Sequence, residues 1–306
     1  MKSASRREYV RRVNRVIDHV REHLGDELSL VSLARLAAFS PFHFHRVFRA
    51  VTGETVFGFI QRLRIERAAN VLRNDAERSV LEVALDHGFG SAATFARAFR
   101  ARFGTTATAW RAAGPPKKRK PGKAIRNDRK APKGDKADTS RRSAKEAAMN
   151  VQVRESPPYH VAYMRYVGPY GAHGIPELWV KLRRWIDAHG LGAPTTITLG
   201  VAHDDPSVTA PERCQYDACV VVPTGFAPDR SVNVMDVAGG RYAIARFEGT
   251  AHEIGAAWDR IFARWLPGSG YQPDDRPCYE LYRGDPMKNT PAGIFQCELH
   301  LPVRPL

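Results

Sequence analysis

One short pattern of aromatic and basic residues occurs twice in the N-terminal part of this chain, so that part folds the same unit twice. Phe44, Arg46, Phe48 and Arg49 recur as Phe95, Arg97, Phe99 and Arg100 at a spacing of 51. Ser40 and Ser91, Gly53 and Gly104, and Thr55 and Thr106 keep that spacing. Upstream it is 50, from Ala34 to Ala84 and Phe39 to Phe89, and the difference falls at Gly90. Val13, Val16, Ile17, Val20 and Leu24 follow the 3.6-residue period of a helix that Gly25 would close. Ser29 suits the cap of a second, short helix carrying Leu30, Leu33, Ala34, Leu36 and Ala37. Ser40 and Pro41 suit the N-cap and first position of a third. On that helix Phe44, Val47 and Phe48 share a face that should be core, while Phe42, His45, Arg46 and Arg49 share another. Two short helices joined by a tight turn, the second of them basic, describe a helix-turn-helix. The stretch from Gly58 to Leu72 reads as a long helix joining two such units.

The charge has the same division. The formal net charge is +15 over 306 residues. Residues 1–114 carry +8, residues 115–148 carry +9 and residues 149–306 carry −2. A nucleic-acid reader joined to a part that does not touch nucleic acid gives this asymmetry. The middle segment has Ile125 as its only large aliphatic residue and cannot bury enough apolar area to order itself. It is expected to be a disordered basic linker, either merely solvated or adding sequence-independent phosphate contacts. Lys117-Lys118-Arg119-Lys120 also fits a nuclear-import pattern that arises by chance in such linkers.

Residues 13–112 resemble the DNA-binding domain of AraC/XylS-type bacterial transcription regulators. The resemblance rests on Ser40-Pro41-Phe42-His43-Phe44-His45-Arg46-Val47-Phe48-Arg49, on Arg62-Leu63-Arg64-Ile65-Glu66-Arg67-Ala68, and on Val83-Ala84-Leu85-Asp86-His87-Gly88-Phe89 with Phe95 to Gly104. It implies that both second helices enter successive major-groove segments of double-stranded DNA. Phe42, His45 and Arg46, with Arg49, fill the contacting positions of the first helix; Ala93, Arg97 and Arg100 lie on the second. Ala92 and Ala93 stand where such proteins often have polar side chains, so the first helix should discriminate and the second should position. The other reading of Arg46 and Arg97 is that they pair with acids such as Glu54 or Asp86.

Residues 150–306 alternate strand and helix patterns and are duplicated at a spacing near 80. Ala162 to Gly168 matches Ala243 to Gly249, His173 matches His252, Trp179 matches Trp258, Val201 to Pro206 matches Leu281 to Pro286, and Val222-Pro223 matches Leu301-Pro302. The expected fold is therefore multidomain. An all-α double helix-turn-helix domain at 9–113 and a linker at 114–149 precede an α+β domain of two β-α-β-β units at 150–306, each unit with an extra leading strand. Duplicated units leave a cleft at their shared interface.

This half resembles the GyrI-like effector-binding domain, through Ala162-Tyr163-Met164-Arg165-Tyr166-Val167-Gly168-Pro169-Tyr170, His203-Asp204-Asp205-Pro206, Tyr216-Asp217-Ala218-Cys219, Gly239 to Ala243, and Pro277-Cys278-Tyr279-Glu280-Leu281-Tyr282. The resemblance implies a small, apolar or cationic ligand and a strand glutamate facing an aromatic cleft, and Glu280 stands in that place. Its repeat mate is Gly200, which leaves room opposite. Tyr282 shares its strand face, and Tyr163, Tyr166, Trp179 and Trp258 are candidate walls able to make cation–π contacts. Two other readings stay open: the tryptophans as core, and Glu280 paired internally with Arg165 or Arg246.

Cys214, Cys219, Cys278 and Cys297 have no CxxC spacing, and neither His19 with His23 nor His43 with His45 has residues completing a tetrahedral site. No metal and no cofactor are expected. No apolar run approaches the roughly 18 residues of a membrane span, and the charged N-terminus is no secretory signal. The leading expectation is a cytoplasmic bacterial transcription regulator, not an enzyme, with DNA, a small-molecule effector and RNA polymerase as partners. The alternatives are a C-terminal small-molecule hydrolase using Glu280 with Tyr163 or Tyr282, and a protein-interaction module.

Overall fold

The computed structural model describes residues 2–75, 77–114, 150–171, 174–193, 195–283 and 293–306. The expected linker, His173 and the Gly284-Asp285-Pro286 match lie outside the described residues.

Among the described residues seven helices build the N-terminal domain: α1 (Lys2–Glu22), α2 (Leu30–Leu36), α3 (Pro41–Thr52), α4 (Val56–Asn74), α5 (Val80–Asp86), α6 (Ala92–Phe103) and α7 (Ala107–Ala113). The duplication extends to their boundaries. Ser40 and Ser91 cap α3 and α6 by accepting from the backbone N–H three residues on. Gly53 and Gly104 end those helices in the left-handed region, at φ 76° and 70°, where a side chain would be strained. Thr55 and Thr106 then cap α4 and α7. Phe44, Phe48, Phe95 and Phe99 are fully buried, each contributing roughly 1.5–3 kcal/mol of hydrophobic burial.

Helix α4 serves both units. Its first half, with Val56, Phe59, Ile60 and Leu63, packs into the core of α1, α2 and α3. Its second half, with Ile65, Ala68, Ala69 and Leu72, packs into the core of α5 and α6. Between the halves, Arg64 donates to the carbonyls of Leu24, Asp26 and Gly88 at 2.9, 2.7 and 2.8 Å. One buried guanidinium thus ties the end of α1 to the turn of the second unit.

The C-terminal domain contains β1 (Val151–Ser156), β2 (Tyr159–Val167), α8 (Ile175–Ala188), β3 (Ile197–Ala202), β4 (Gln215–Val221), β5 (Asn233–Val237), β6 (Gly240–Gly249), α9 (Ile254–Arg260), β7 (Tyr271–Pro273), β8 (Cys278–Arg283) and β9 (Phe295–Pro305). The strand order is β1-β6-β9-β8-β3-β4-β2-β5, with β7 pairing to β9 off that path. Exchanging each strand for its repeat mate and reversing the order returns the same sequence of strands, so the two β-α-β-β units are related by a pseudo-two-fold axis between β8 and β3. The leading strands are exchanged: β1 pairs with β6 of the second unit and β5 with β2 of the first. Gly200 is the direct register partner of Glu280 across the central pair. Helix α8 packs on one sheet face with Trp179, Leu182 and Ala257 of α9 in the same core. The opposite face carries Tyr163, Leu199, Tyr242, Tyr279 and Leu281.

Candidate functional site

Two surfaces carry chemistry. The first is the outer face of α3 and α6. Phe42 is 68% exposed, far more than an unassigned core phenylalanine would be. Arg46, Arg49, Ala93, Arg97 and Arg100 are also exposed, and His45 is half-buried. Arg46 lies over the Phe42 ring with its guanidinium carbon 5.7 Å from the centroid. Glu54 is held by Arg62 and Arg213, and Asp86 by Arg78. Among the described residues neither acid pairs with Arg46 or Arg97, so the face presents its guanidiniums outward.

The second surface is the cleft beside Glu280. Glu280 is 8% exposed. The hydroxyls of Tyr216 and Tyr282 both donate to its Oε2 at 2.8 Å, and the Trp179 indole N–H donates to the Tyr216 oxygen at 3.3 Å. Tyr282 and Trp179 meet edge to face, centroids 5.3 Å apart. A Cβ on Gly200 would lie 1.9 Å from the Tyr216 hydroxyl and 2.7 Å from Glu280 Oε2, so only glycine leaves space for this arrangement. Burial raises the Glu280 pKa above the usual carboxylate value, against the lowering effect of hydrogen bonds from Tyr282, Tyr216 and Trp258. Burial and the neighbouring Glu280 charge raise both tyrosine hydroxyls well above their usual range, so they stay donors. Trp179, Tyr216, Trp258, Glu280, Tyr282 and Phe295 line the cleft. It continues without a break to Asp18, Arg21, Arg67 and Arg73 of the helical domain.

The structure therefore brings Glu280, Trp179, Trp258 and Tyr282 together, and it corrects two candidate walls. Tyr163 and Tyr166 do not line the cleft. Side chains alternate along a strand, and Tyr163 lies on the opposite sheet face, where its hydroxyl donates to Asp18 of α1. Tyr166 is filled in by its own loop: a Cβ on Gly168 or Gly174 would fall within 2.3 Å of its ring or hydroxyl. The internal pairing considered for Glu280 is also absent among the described residues. Arg165 is occupied by Asp18 and Asp217 at 2.8 and 2.6 Å, and Arg246 is exposed. Tyr216 was missed as a cleft residue. Its parity with Ala218 and Val220 on β4, read against the gap at Gly200, is the signal that could have found it.

Among the described residues no cluster of three or more ligating side chains occurs. Likewise no described helix is long and apolar enough to cross a membrane.

Comparison with known proteins follows the same division. Residues 33–113 match a helix-turn-helix domain family and residues 149–304 match the family described as a GyrI-like small molecule binding domain. A DNA gyrase inhibitor of Cronobacter turicensis is 32% identical over 147 residues, which are 47% of this chain and 90% of that protein. The crystal structure of the DNA-binding domain of AdpA with a target DNA is 32% identical, covering 33% of this chain and 90% of that one, at a TM-score of 0.32. The structure of SAV2435 bound to tetraphenylphosphonium is 12% identical, covering 51% of this chain and 94% of that one, at a TM-score of 0.34. The second family match spans just over half of the chain, and the protein belongs to the GyrI-like small molecule binding domain family, with an AraC-type helix-turn-helix domain ahead of it.

Proposed function

We propose that this DNA-binding regulator senses an apolar organic cation in the Glu280 cleft and acts as a one-component transcription switch in the bacterial cytoplasm. The observation that carries the reading is a buried carboxyl that, among the described residues, has no cationic side chain paired with it and is ringed by indoles and phenols. A buried unpaired charge is costly, and a ligand cation supplies the missing partner while the aromatic faces add cation–π attraction. Two phenol donors on Oε2, with the Trp258 indole as a further donor, fix the carboxyl in the wall of the cleft. On the DNA side, Phe42, His45 and Arg46 discriminate bases and Arg49 supports them. Ala93, Arg97 and Arg100 position the second helix. RNA polymerase is the further partner on this reading.

Tetraphenylphosphonium and a neutral analogue of the same shape, titrated calorimetrically into the full chain, test the ligand class. Tighter binding of the cation, lost in Glu280→Gln, is expected; equal binding of both would refute it. DNA occupancy and in vitro transcription with and without the cation then test the switch.

A further inference from the structure

The two domains are joined by more than the chain between them. After β3 the segment 203–214 leaves the C-terminal sheet and enters the helical domain. Val208 is 6% exposed and sits in the core of the second helix-turn-helix unit with Ala68, Leu72 and Phe95. The Thr209 hydroxyl donates to Glu66 of α4 at 2.9 Å, and Arg102 of α6 donates to the Val208 carbonyl at 3.1 Å. Arg213 pairs with Glu54 at 2.9 Å, and Arg73 donates to the Ser207 hydroxyl at 3.0 Å. Glu54 and Glu66 both pair with Arg62, at 2.9 and 3.0 Å, and Glu66 also pairs with Arg102 at 2.8 Å. An unbroken chain of charges therefore runs Arg213–Glu54–Arg62–Glu66–Arg102. Glu54 follows the C-terminus of α3, and Arg102 is in the last turn of α6. The loop thus grips the ends of both reading helices and the helix between them, yet leaves their outer faces exposed.

The same loop is anchored at both ends in the ligand cleft. Gly200, which abuts Glu280, is three residues before it, and Tyr216, which donates to Glu280, is two residues after it. We propose that this β3–β4 loop transmits occupancy of the Glu280 cleft to the relative placement of α3 and α6. The proposal rests on the sensing role given above. A ligand that engages the Glu280 carboxyl and moves the Tyr216 hydroxyl bonded to it displaces the start of β4, and Thr209 and Val208 carry that displacement into α4 and α6. Coupling between sites of this kind changes affinity by about fivefold or more.

A double-mutant cycle tests it without any ligand. The probe is a duplex selected from a random pool by the wild-type protein, with its affinity measured for the full chain at fixed salt. Tyr216→Phe removes the hydroxyl from Glu280. It should shift DNA affinity about fivefold, and the shift should vanish in the Thr209→Val background and shrink with Arg213→Ala. Arg213 is half exposed, so its variant remains folded even where the buried Thr209 variant does not. If Tyr216→Phe leaves DNA affinity unchanged, or if its effect and that of Thr209→Val simply multiply, the proposal is overturned. A second arm adds tetraphenylphosphonium. Binding that shifts DNA affinity equally in wild type and Thr209→Val sinks the loop route while sensing stands. Absence of binding removes that ligand class, and the mutant cycle then decides for or against the loop by itself.

Discussion

Replacing Glu280 by glutamine should move stability and ligand affinity in opposite directions. The carboxyl is buried and its pKa is raised, chiefly by desolvation. A carboxyl whose folded pKa lies above its unfolded value favours the folded state below the unfolded pKa, and that contribution is lost as pH rises through the folded pKa. At neutral pH the ligand-free protein therefore bears the cost of burying this acid, about 1.4 kcal/mol for every tenfold displacement of its ionisation. Glutamine removes the charge, and its carbonyl can still accept both hydroxyls now bonded to Oε2 at 2.8 Å. Glu280→Gln should thus raise the melting temperature at pH 7 and leave it nearly unchanged near pH 4, where the wild-type side chain is neutral. The ligand side has the opposite sign. A cation binds the carboxylate and releases the proton, so wild-type affinity rises with pH up to the raised pKa and is flat above it. Loss of one charge-assisted interaction costs about 1.5–3 kcal/mol, roughly ten- to a hundredfold in affinity at pH 7. Paired melting and calorimetric titrations at pH 4, 5.5 and 7 read both effects. A variant that is less stable than wild type at pH 7 and keeps its cation affinity and pH profile would refute the argument.

Four further outcomes follow from other parts of the molecule. Arg46→Ala should lose base preference in site selection, by about 1–3 kcal/mol per good bidentate contact, whereas Arg100→Ala should weaken all sequences alike; unchanged preference for Arg46→Ala would refute the division. Gly200→Ala should abolish cation binding, because the added carbon falls on the Tyr216 hydroxyl at 1.9 Å, and a variant that binds normally by calorimetry would contradict the packing. Asp217→Asn should cost about 3–5 kcal/mol in denaturant unfolding at neutral pH, since Asp217 is fully buried between Arg165 and His203 at 2.6 Å each. Those partners hold its pKa well below the usual range, so this contribution is present above the unfolded carboxylate pKa and fades only in strong acid; a deficit that is already gone at pH 5 would oppose it. Ala38, the only described non-glycine residue at positive φ, at 54°, occupies the turn position that Gly88 fills in the second unit. Ala38→Gly should raise stability by about 0.5–1 kcal/mol once left-handed strain is set against chain entropy, and a clear loss on melting would show that the methyl group packs usefully.

The helical domain was legible because its signals are local. Capping serines, closing glycines and a 3.6-residue period repeat at a fixed interval, and each acts within a few residues of itself. The α+β half was legible in outline for the same reason, since an 80-residue repeat places Gly200 opposite Glu280 once the two units are folded face to face. The misplacement of Tyr163 has a plain cause. Tyr163 and Tyr166 cannot both face the cleft, because they are three residues apart on one strand and therefore point to opposite sides. Parity alone could have removed one of them. It could not say which, because that depends on which face α8 covers. Tyr166 is on the covered face and is still excluded, because Gly168 and Gly174 close the loop onto its ring.

What sequence patterns could not reveal is the joint between the domains, and the reason is physical. Asp18 and Arg21 lie on the first helix outside its apolar stripe, and Asp204 lies in the loop after β3, with no motif joining them. In the structure Arg21 and Asp204 pair at 3.0 Å with side chains 7% and 3% exposed, and Asp18 meets Arg165 at 2.8 Å. Buried ion pairs stabilise little on balance, yet leaving one member alone is costly. Such a joint therefore adds modest affinity between the domains while penalising every other way of docking them. A residue such as Asp18 has no periodicity or motif of its own, because its partners come from a segment more than 140 residues away that is itself placed by the sheet. The direction in which the two domains meet is set by acids and arginines that look unremarkable until both domains have folded.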